Sequence, residues 1–150
     1  MSSATNNEVV ARLRAKLPGD ADIEIPPKVF VDMGGELLRY EEDEALTARF
    51  PVRERYQNPM GYMQGGMIVA AIDNTLGPLS YLVAPPSVTT QLNTSFIRPL
   101  GPDDAHVTVR GWVVERAGRQ LFLAAQARTD AGKTVALSQA TCQIVNRGRR

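Results

Sequence analysis

From Gly65 or Gly66 to about Ser80 the chain carries a helix-length run, Gly-Gly-Met-Ile-Val-Ala-Ala-Ile-Asp-Asn-Thr-Leu-Gly-Pro-Leu-Ser, that is apolar over most of its circumference. Ile68, Ala71, Ile72, Thr75 and Leu79 fall on one face; Gly66, Ala70, Asp73, Gly77 and Ser80 fall on another. A helix without a broad polar face is stable only when other structure encloses it. The rest of the sequence supplies that enclosure. After Pro85-Pro86, residues 88–97, 105–115, 120–129 and 134–145 read as strands, separated by turn chemistry at 99–104, Ala117-Gly118 and Asp130-Ala131-Gly132. Two earlier strands, 37–41 and 45–52, flank the acidic turn Glu42-Asp43-Glu44. Short turns between long strands favour an antiparallel meander. The expected class is α+β, a long antiparallel sheet around one central helix. A lone helix covers a sheet only in part, so a homodimer is expected, joined through its sheets or its helices.

The N-terminal part reads differently. Residues 1–5 are expected to be a disordered tail. Asn6 or Asn7 can cap a short helix bearing Val9, Val10, Leu13 and Leu17, which Pro18-Gly19 ends. Residues 20–32, with Pro26-Pro27, read as an extended connector, and 53–63 as a loop broken by Pro59 and Gly61. The organisation expected is a helix and connector over 1–32, the main domain over 33–146 and a frayed tail over 147–150.

With 150 residues the chain suits one domain with one core. A formal charge of +1 gives no global field to draw in nucleic acid or a membrane surface. No run approaches the roughly 20 apolar residues of a spanning helix, and the first residues lack the regions of a signal peptide. One cysteine, Cys142, leaves no internal disulfide and no cysteine-cluster zinc site. These features point to the cytoplasm. One histidine, His106, excludes any mechanism that needs two.

The chemistry concentrates at the start of the apolar helix. A helix N-terminus offers unpaired backbone N–H donors and the positive end of a dipole. Two turns further in stands Asp73. A carboxylate in an apolar helix is costly unless it has a task. An arbitrary helical Asp is ordinarily an exposed one, but the small and apolar neighbours here favour a functional group in a largely dry crevice. Donors for a developing oxyanion plus a carboxylate are the parts of an acyl-transfer site. The Gly65 N–H would be the donor, and Asp73 the general base or the nucleophile.

These residues form a recognisable set. Asn58, Gly61, Gln64-Gly65-Gly66 and Asp73 resemble the Asn, the Gly, the His-Gly-Gly and the acidic residue nine positions after the His in hotdog-fold acyl-CoA thioesterases of the phenylacetate-pathway branch. Thr89-Thr-Gln-Leu-Asn-Thr-Ser-Phe-Ile-Arg98-Pro99 resembles that family's strand ending in Arg-Pro, and Gly118-Arg119 and Asp130-Ala-Gly132 its later turns. The likeness spans roughly residues 33–145, and departs from the motif at Gln64, where the family has His. It implies a hotdog fold and hydrolysis of an aryl- or medium-chain acyl-CoA, with no metal and no cofactor. It also implies a homodimer or dimer of dimers, whose site joins Gly65 of one subunit to Asp73 of another.

On the same resemblance Thr89 positions the nucleophilic water, and Asn58 orients water, the thioester or its own loop. Gln64 bonds locally and helps hold the carbonyl, while Gly66 and Met63 contact substrate. Arg98 and Arg119 neutralise coenzyme A phosphates. Met60, Met63 and Met67 can line an acyl pocket or simply pack, and Met60, Met63, Leu79 and residues 82–87 would set its depth. Thr89, Gln91, Asn93 and Ser95 form one polar strand face. His106 reads as a surface residue, which argues against water-eliminating enzymes of this fold. The competing reading is a non-catalytic binder of acyl-CoA or a lipid-like ligand, and Gln64 is its main support. A DNA-binding regulator is weaker, because the first helix is too short for a helix-turn-helix unit.

Overall fold

The computed structural model describes residues 6–17, 19 and 22–145. The expected tails at 1–5 and 147–150, and the helix stop at Pro18, lie outside the described residues. The elements run α1 (Asn6–Lys16), α2 (Lys28–Asp32), β1 (Glu36–Glu41), β2 (Ala45–Pro51), a 3-10 turn (Glu54–Tyr56), α3 (Gly65–Val83), β3 (Ser87–Phe96), β4 (His106–Ala117), β5 (Gln120–Thr129) and β6 (Thr134–Ile144). All strand pairs are antiparallel, in one sheet of order β1-β2-β4-β5-β6-β3.

The sheet wraps α3, as the hotdog fold requires. Ile68, Ile72, Leu76, Leu79 and Leu82 are buried against Leu46, Phe50, Val107, Val109, Leu121 and Leu123. By length and composition alone α3 could cross a bilayer, contrary to the sequence expectation, but here the sheet takes its apolar faces. The helix runs three residues past Ser80 despite Pro78. An interior proline removes one N–H donor and kinks a helix rather than always ending it. Helix and sheet approach closely at Gly111 of β4, where a Cβ would come within 2.6 Å of Leu76 Cδ2.

Two expectations need correction. The strands are not a simple meander: β3 pairs with β6, and β2 takes the place beside β4. The segment between β3 and β4 is too long for a two-residue hairpin turn. It buries Leu100 instead, whose carbonyl accepts from the Met63 N–H at 2.9 Å. Nor is the connector extended throughout. Pro27 precedes the five-residue α2, which stops where Gly34 takes φ +68°. Pro before and Gly after is the signature of a short helix. Phe30 of α2 packs edge-on to Phe50, centroids 5.6 Å apart.

The N-terminal helix adds to the same core through Val9, Val10 and Leu13. Asn6 opens α1, and its Oδ1 accepts from the Leu37 N–H at 2.9 Å, tying α1 to β1. Gly111→Val should drive a branched side chain into Leu76 and lower stability by about 1–3 kcal/mol. Thermal unfolding checks this, and an unchanged melting temperature would show that the helix can move away from β4.

Candidate active site

The loop before α3 is held by its own polar groups. Asn58 Oδ1 accepts from the N–H groups of Met60 (2.9 Å) and Tyr62 (3.1 Å), and Asn58 N–H donates to the Tyr62 carbonyl at 2.7 Å. This is the turn chemistry of a short amide side chain. Asn58 therefore braces the loop and keeps its Nδ2 amide hydrogens for a further acceptor. Gln64 is the N-cap residue of α3, but its side chain makes no cap bond. Its backbone does the holding: N–H donates to the Tyr56 carbonyl at 2.8 Å, and its carbonyl accepts from Met67 N–H at 2.9 Å. The exposed Gln64 side chain thus makes none of the local bonds expected of it among the described residues.

Gly65 and Gly66 follow as the first two helical residues, whose N–H groups point out of the helix end. Phe96, from the far end of β3, lies across Gly65: a Cβ there would sit 3.0 Å from its Cζ. Gly65, Asn58, Tyr62, Met63, Phe96 and Arg98 share a groove of about 300 Å³. Arg98 Nη1 also donates to the Thr134 carbonyl at 2.9 Å. Met63 is buried at the groove base, Met67 is half-buried against the core, and Met60, 79% exposed, points away. Leu79 is fully buried under the sheet, and neither Met60 nor Leu79 lines this groove of the single chain.

Asp73 sits elsewhere. Eight residues along α3 from Gly65 correspond to about 12 Å of helix axis. Asp73 is exposed rather than enclosed in a dry crevice, because it lies off the buried face of α3 that carries Ile68, Ile72, Thr75, Leu76 and Leu79, beside the edge strand β3. Its Oδ1 accepts from Thr89 Oγ1 at 3.2 Å. A bulge sets that contact. The β3–β6 register shifts between Thr89 and Gln91, leaving Thr90 as the extra residue. Such a bulge re-aims side chains beyond it. Thr89 faces the helix before it, and Leu92 and Phe96 face the helix after it. Gln91 and Asn93 turn to the other side, beside Val114 and Phe122. The single polar face expected for Thr89, Gln91, Asn93 and Ser95 is therefore split.

Asp73 and Thr89 line a second, larger groove of about 530 Å³ between α3 and the N-terminal segment. Arg119, in the β4–β5 turn, donates through Nη2 to the Ile144 carbonyl at 3.0 Å. Arg98 and Arg119 thus hold opposite ends of β6, about 34 Å apart for ten strand steps. Within one chain they cannot serve one coenzyme A. His106 lies at the start of β4 beside Asp130, Nδ1 to Oδ2 3.6 Å. Among the described residues no group of three or more His, Cys, Asp or Glu side chains could hold a metal ion. Phe96, Tyr62 and the bulge were missed from sequence; a strand register would have disclosed Phe96 and the bulge, whereas Tyr62 sits in the loop before α3.

A glycine-opened helix in a wrapped antiparallel sheet, with a carboxylate two turns in, matches a known family over residues 60–136, just over half of the chain: the thioesterase superfamily. The chain belongs to that superfamily. Its reaction class is thioester hydrolysis, and the likeness to the phenylacetate-pathway branch holds. The E. coli PaaI protein from the phenylacetic acid degradation operon superposes with TM-score 0.76 at 16% identity, covering 81% of this chain and 86% of that one. A phenylacetic acid degradation-related protein of Ralstonia eutropha reaches 0.75 at 25% identity, covering 89% and 98%. A Streptococcus mutans protein solved with acetyl CoA bound reaches 0.71 at 15% identity, covering 88% and 100%. Comparison with curated proteins finds no match.

Cys142 lies beside Thr89, its Sγ 3.9 Å from Thr89 Oγ1. It is 1% exposed, and burial pushes its thiol pKa up. A raised pKa leaves less thiolate at any pH below it, and the thiolate is the reactive form. The native protein should therefore resist a thiol reagent at about pH 8 and label only after denaturation. Labelling of the folded protein at the rate of free cysteine would contradict this.

Proposed function

We propose that the chain is an acyl-CoA thioesterase whose site is completed by a second copy of itself. The Gly65 N–H of one copy polarises the thioester carbonyl. Asp73 of the other acts on it, as general base on water or as nucleophile, with Thr89 positioning the carboxylate or the water. Asn58 and Gln64 supply amide groups beside the carbonyl, Gly66 a second N–H donor, and Met63 the apolar base of the groove. The substrate is an aryl- or medium-chain acyl-CoA, and no metal or cofactor enters the reaction.

One observation carries this reading: the donor opens the helix and the carboxylate stands two turns along it, in separate grooves. A carboxylate about 12 Å along the axis cannot reach a carbonyl bound at its own chain's Gly65. The edge strand suggests how a second copy would close the gap. β3 is an edge of the sheet. Thr89, next to Asp73, is near one end, and Phe96, over Gly65, is at the other. Antiparallel pairing of β3 with β3 of another copy would bring Thr89 of each opposite Phe96 of the other. It would also let Arg98 and Arg119 from different copies flank one coenzyme A. Exposure of Asp73 in the single chain is what a site finished by another copy requires. Family membership supports hydrolysis over the ligand-binding alternative.

Asp73→Ala should lower acyl-CoA turnover by at least about two orders of magnitude, the usual range for a lost general base, while leaving the assembly intact by light scattering. Unchanged turnover would remove Asp73 from the reaction. The shared site has its own test. Asp73→Asn and Asn58→Ala chains, each impaired alone, should regain activity when co-expressed, since a mixed dimer holds one site with both residues native. No recovery in verified mixed dimers would place both residues in the same subunit's site.

A further inference from the structure

We propose that the acyl group lies in the groove between α3 and the N-terminal segment, and that residues 22–30 form the wall that selects it. The inference rests on the reading that Asp73 serves the thioester, and adds where the substrate's far end goes. Asp73 and Thr89 stand at one side of this groove. Val10, Leu13, Ile23, Ile25, Phe30 and Leu37 are among the apolar residues that line it. A mostly apolar cleft of about 530 Å³ is of the size that holds a small organic ligand. An acetyl group would leave it nearly empty.

The charges decide the class further. Among the described residues Glu24 and Asp73 are the charged ones lining the groove, and no described lysine or arginine lines it. An acyl group ending in a carboxylate would lose its hydration without a cation to replace it. The groove therefore takes an uncharged acyl end, aliphatic or aryl.

The wall is built in place. Arg14 donates to the Ile25 carbonyl from Nε (3.2 Å) and Nη2 (2.8 Å), pinning the connector to α1. Phe30 is fixed against Phe50. The floor is open. Gly77 lies one turn past Asp73 on the same face, and a Cβ built there meets nothing from the other elements within 4 Å. The proline ring of Pro78 crowds any Cβ on the residue before it, so glycine suits the helix there as well as the groove.

The test uses the full chain and four esters: butyryl-, octanoyl- and phenylacetyl-CoA, and an octanoyl-CoA carrying a terminal carboxylate. Octanoyl and phenylacetyl esters should exceed both butyryl and the carboxylate ester in kcat/KM by about tenfold or more. Gly77→Leu, made on Pro78→Ala to relieve the proline clash, should lower the octanoyl-to-butyryl ratio about tenfold relative to Pro78→Ala alone. Ile25→Ala should move the optimum to a longer acyl chain, and decides the matter if the Gly77 variant does not fold. Circular dichroism and light scattering accompany each variant. Unchanged ratios in folded variants overturn the groove assignment while leaving Asp73 in place. Dissociation of the assembly by Gly77→Leu with an unchanged ratio also overturns it, because another copy then covers that face. Failure of the unmodified chain to hydrolyse any ester overturns both readings.

Discussion

The approach of α3 to β4 at Gly111 is the contact on which the remaining geometry depends. Leu76 sits where a side chain on the strand would be, so the helix axis is fixed close to the sheet. The helix is a poor one by its own preferences. Three interior or first-turn glycines cost about 1 kcal/mol each relative to alanine, and an interior proline about 3 kcal/mol. Five large side chains, Ile68, Ile72, Leu76, Leu79 and Leu82, are buried along it, each contributing about 1.5–3 kcal/mol. Burial outweighs propensity. Both glycines before Met67 and the Gly77-Pro78 pair are tolerated only because the sheet holds the helix, and the proposed site draws on those same weak points.

Much of this was legible in the residues. The apolar circumference of the helix required a wrap, and the alternating segments with their turns supplied six strands within a residue or two of their observed ends. Gly65 at the helix start follows from sequence alone, because helix spacing is local; a place for Thr89 in the site came only from the family resemblance, and its contact with Asp73 is seen in the structure. What was hidden is not local. The pairing of β3 with β6 is a choice among edges that alternation cannot make. The bulge at Thr90 shows no sequence mark such as glycine, yet it separates Thr89 from Gln91 and brings Phe96 over Gly65. Arg98 and Arg119 read as a pair because each follows a family motif; only the strand register shows them at opposite ends of β6. Asp73 looked enclosed because its helix neighbours are apolar, but enclosure depends on which face meets the sheet.

The edge formed by β3 bears on how the proposed site closes. Ten residues long, Ser-Val-Thr-Thr-Gln-Leu-Asn-Thr-Ser-Phe, it contains no proline and no charge. Edges that must stay unpaired usually carry such guards, because their free N–H and C=O groups are a template for another strand. Its bulge twists the strand near Thr89 only, and the run from Gln91 to Phe96 keeps an unbroken register with β6. An unguarded edge of this length is a hazard in a lone chain and an asset in a symmetric pair. Two-fold pairing consumes the edge on both copies and stops there, since β1 occupies the other side of each sheet. The same step that removes the exposed ladder would set a carboxylate from one helix beside the amide donors of the other. On the proposed reading, then, a need of the fold and a need of the chemistry are met by one interface, which explains why a single chain holds every catalytic group and yet brings no two ends of the site together.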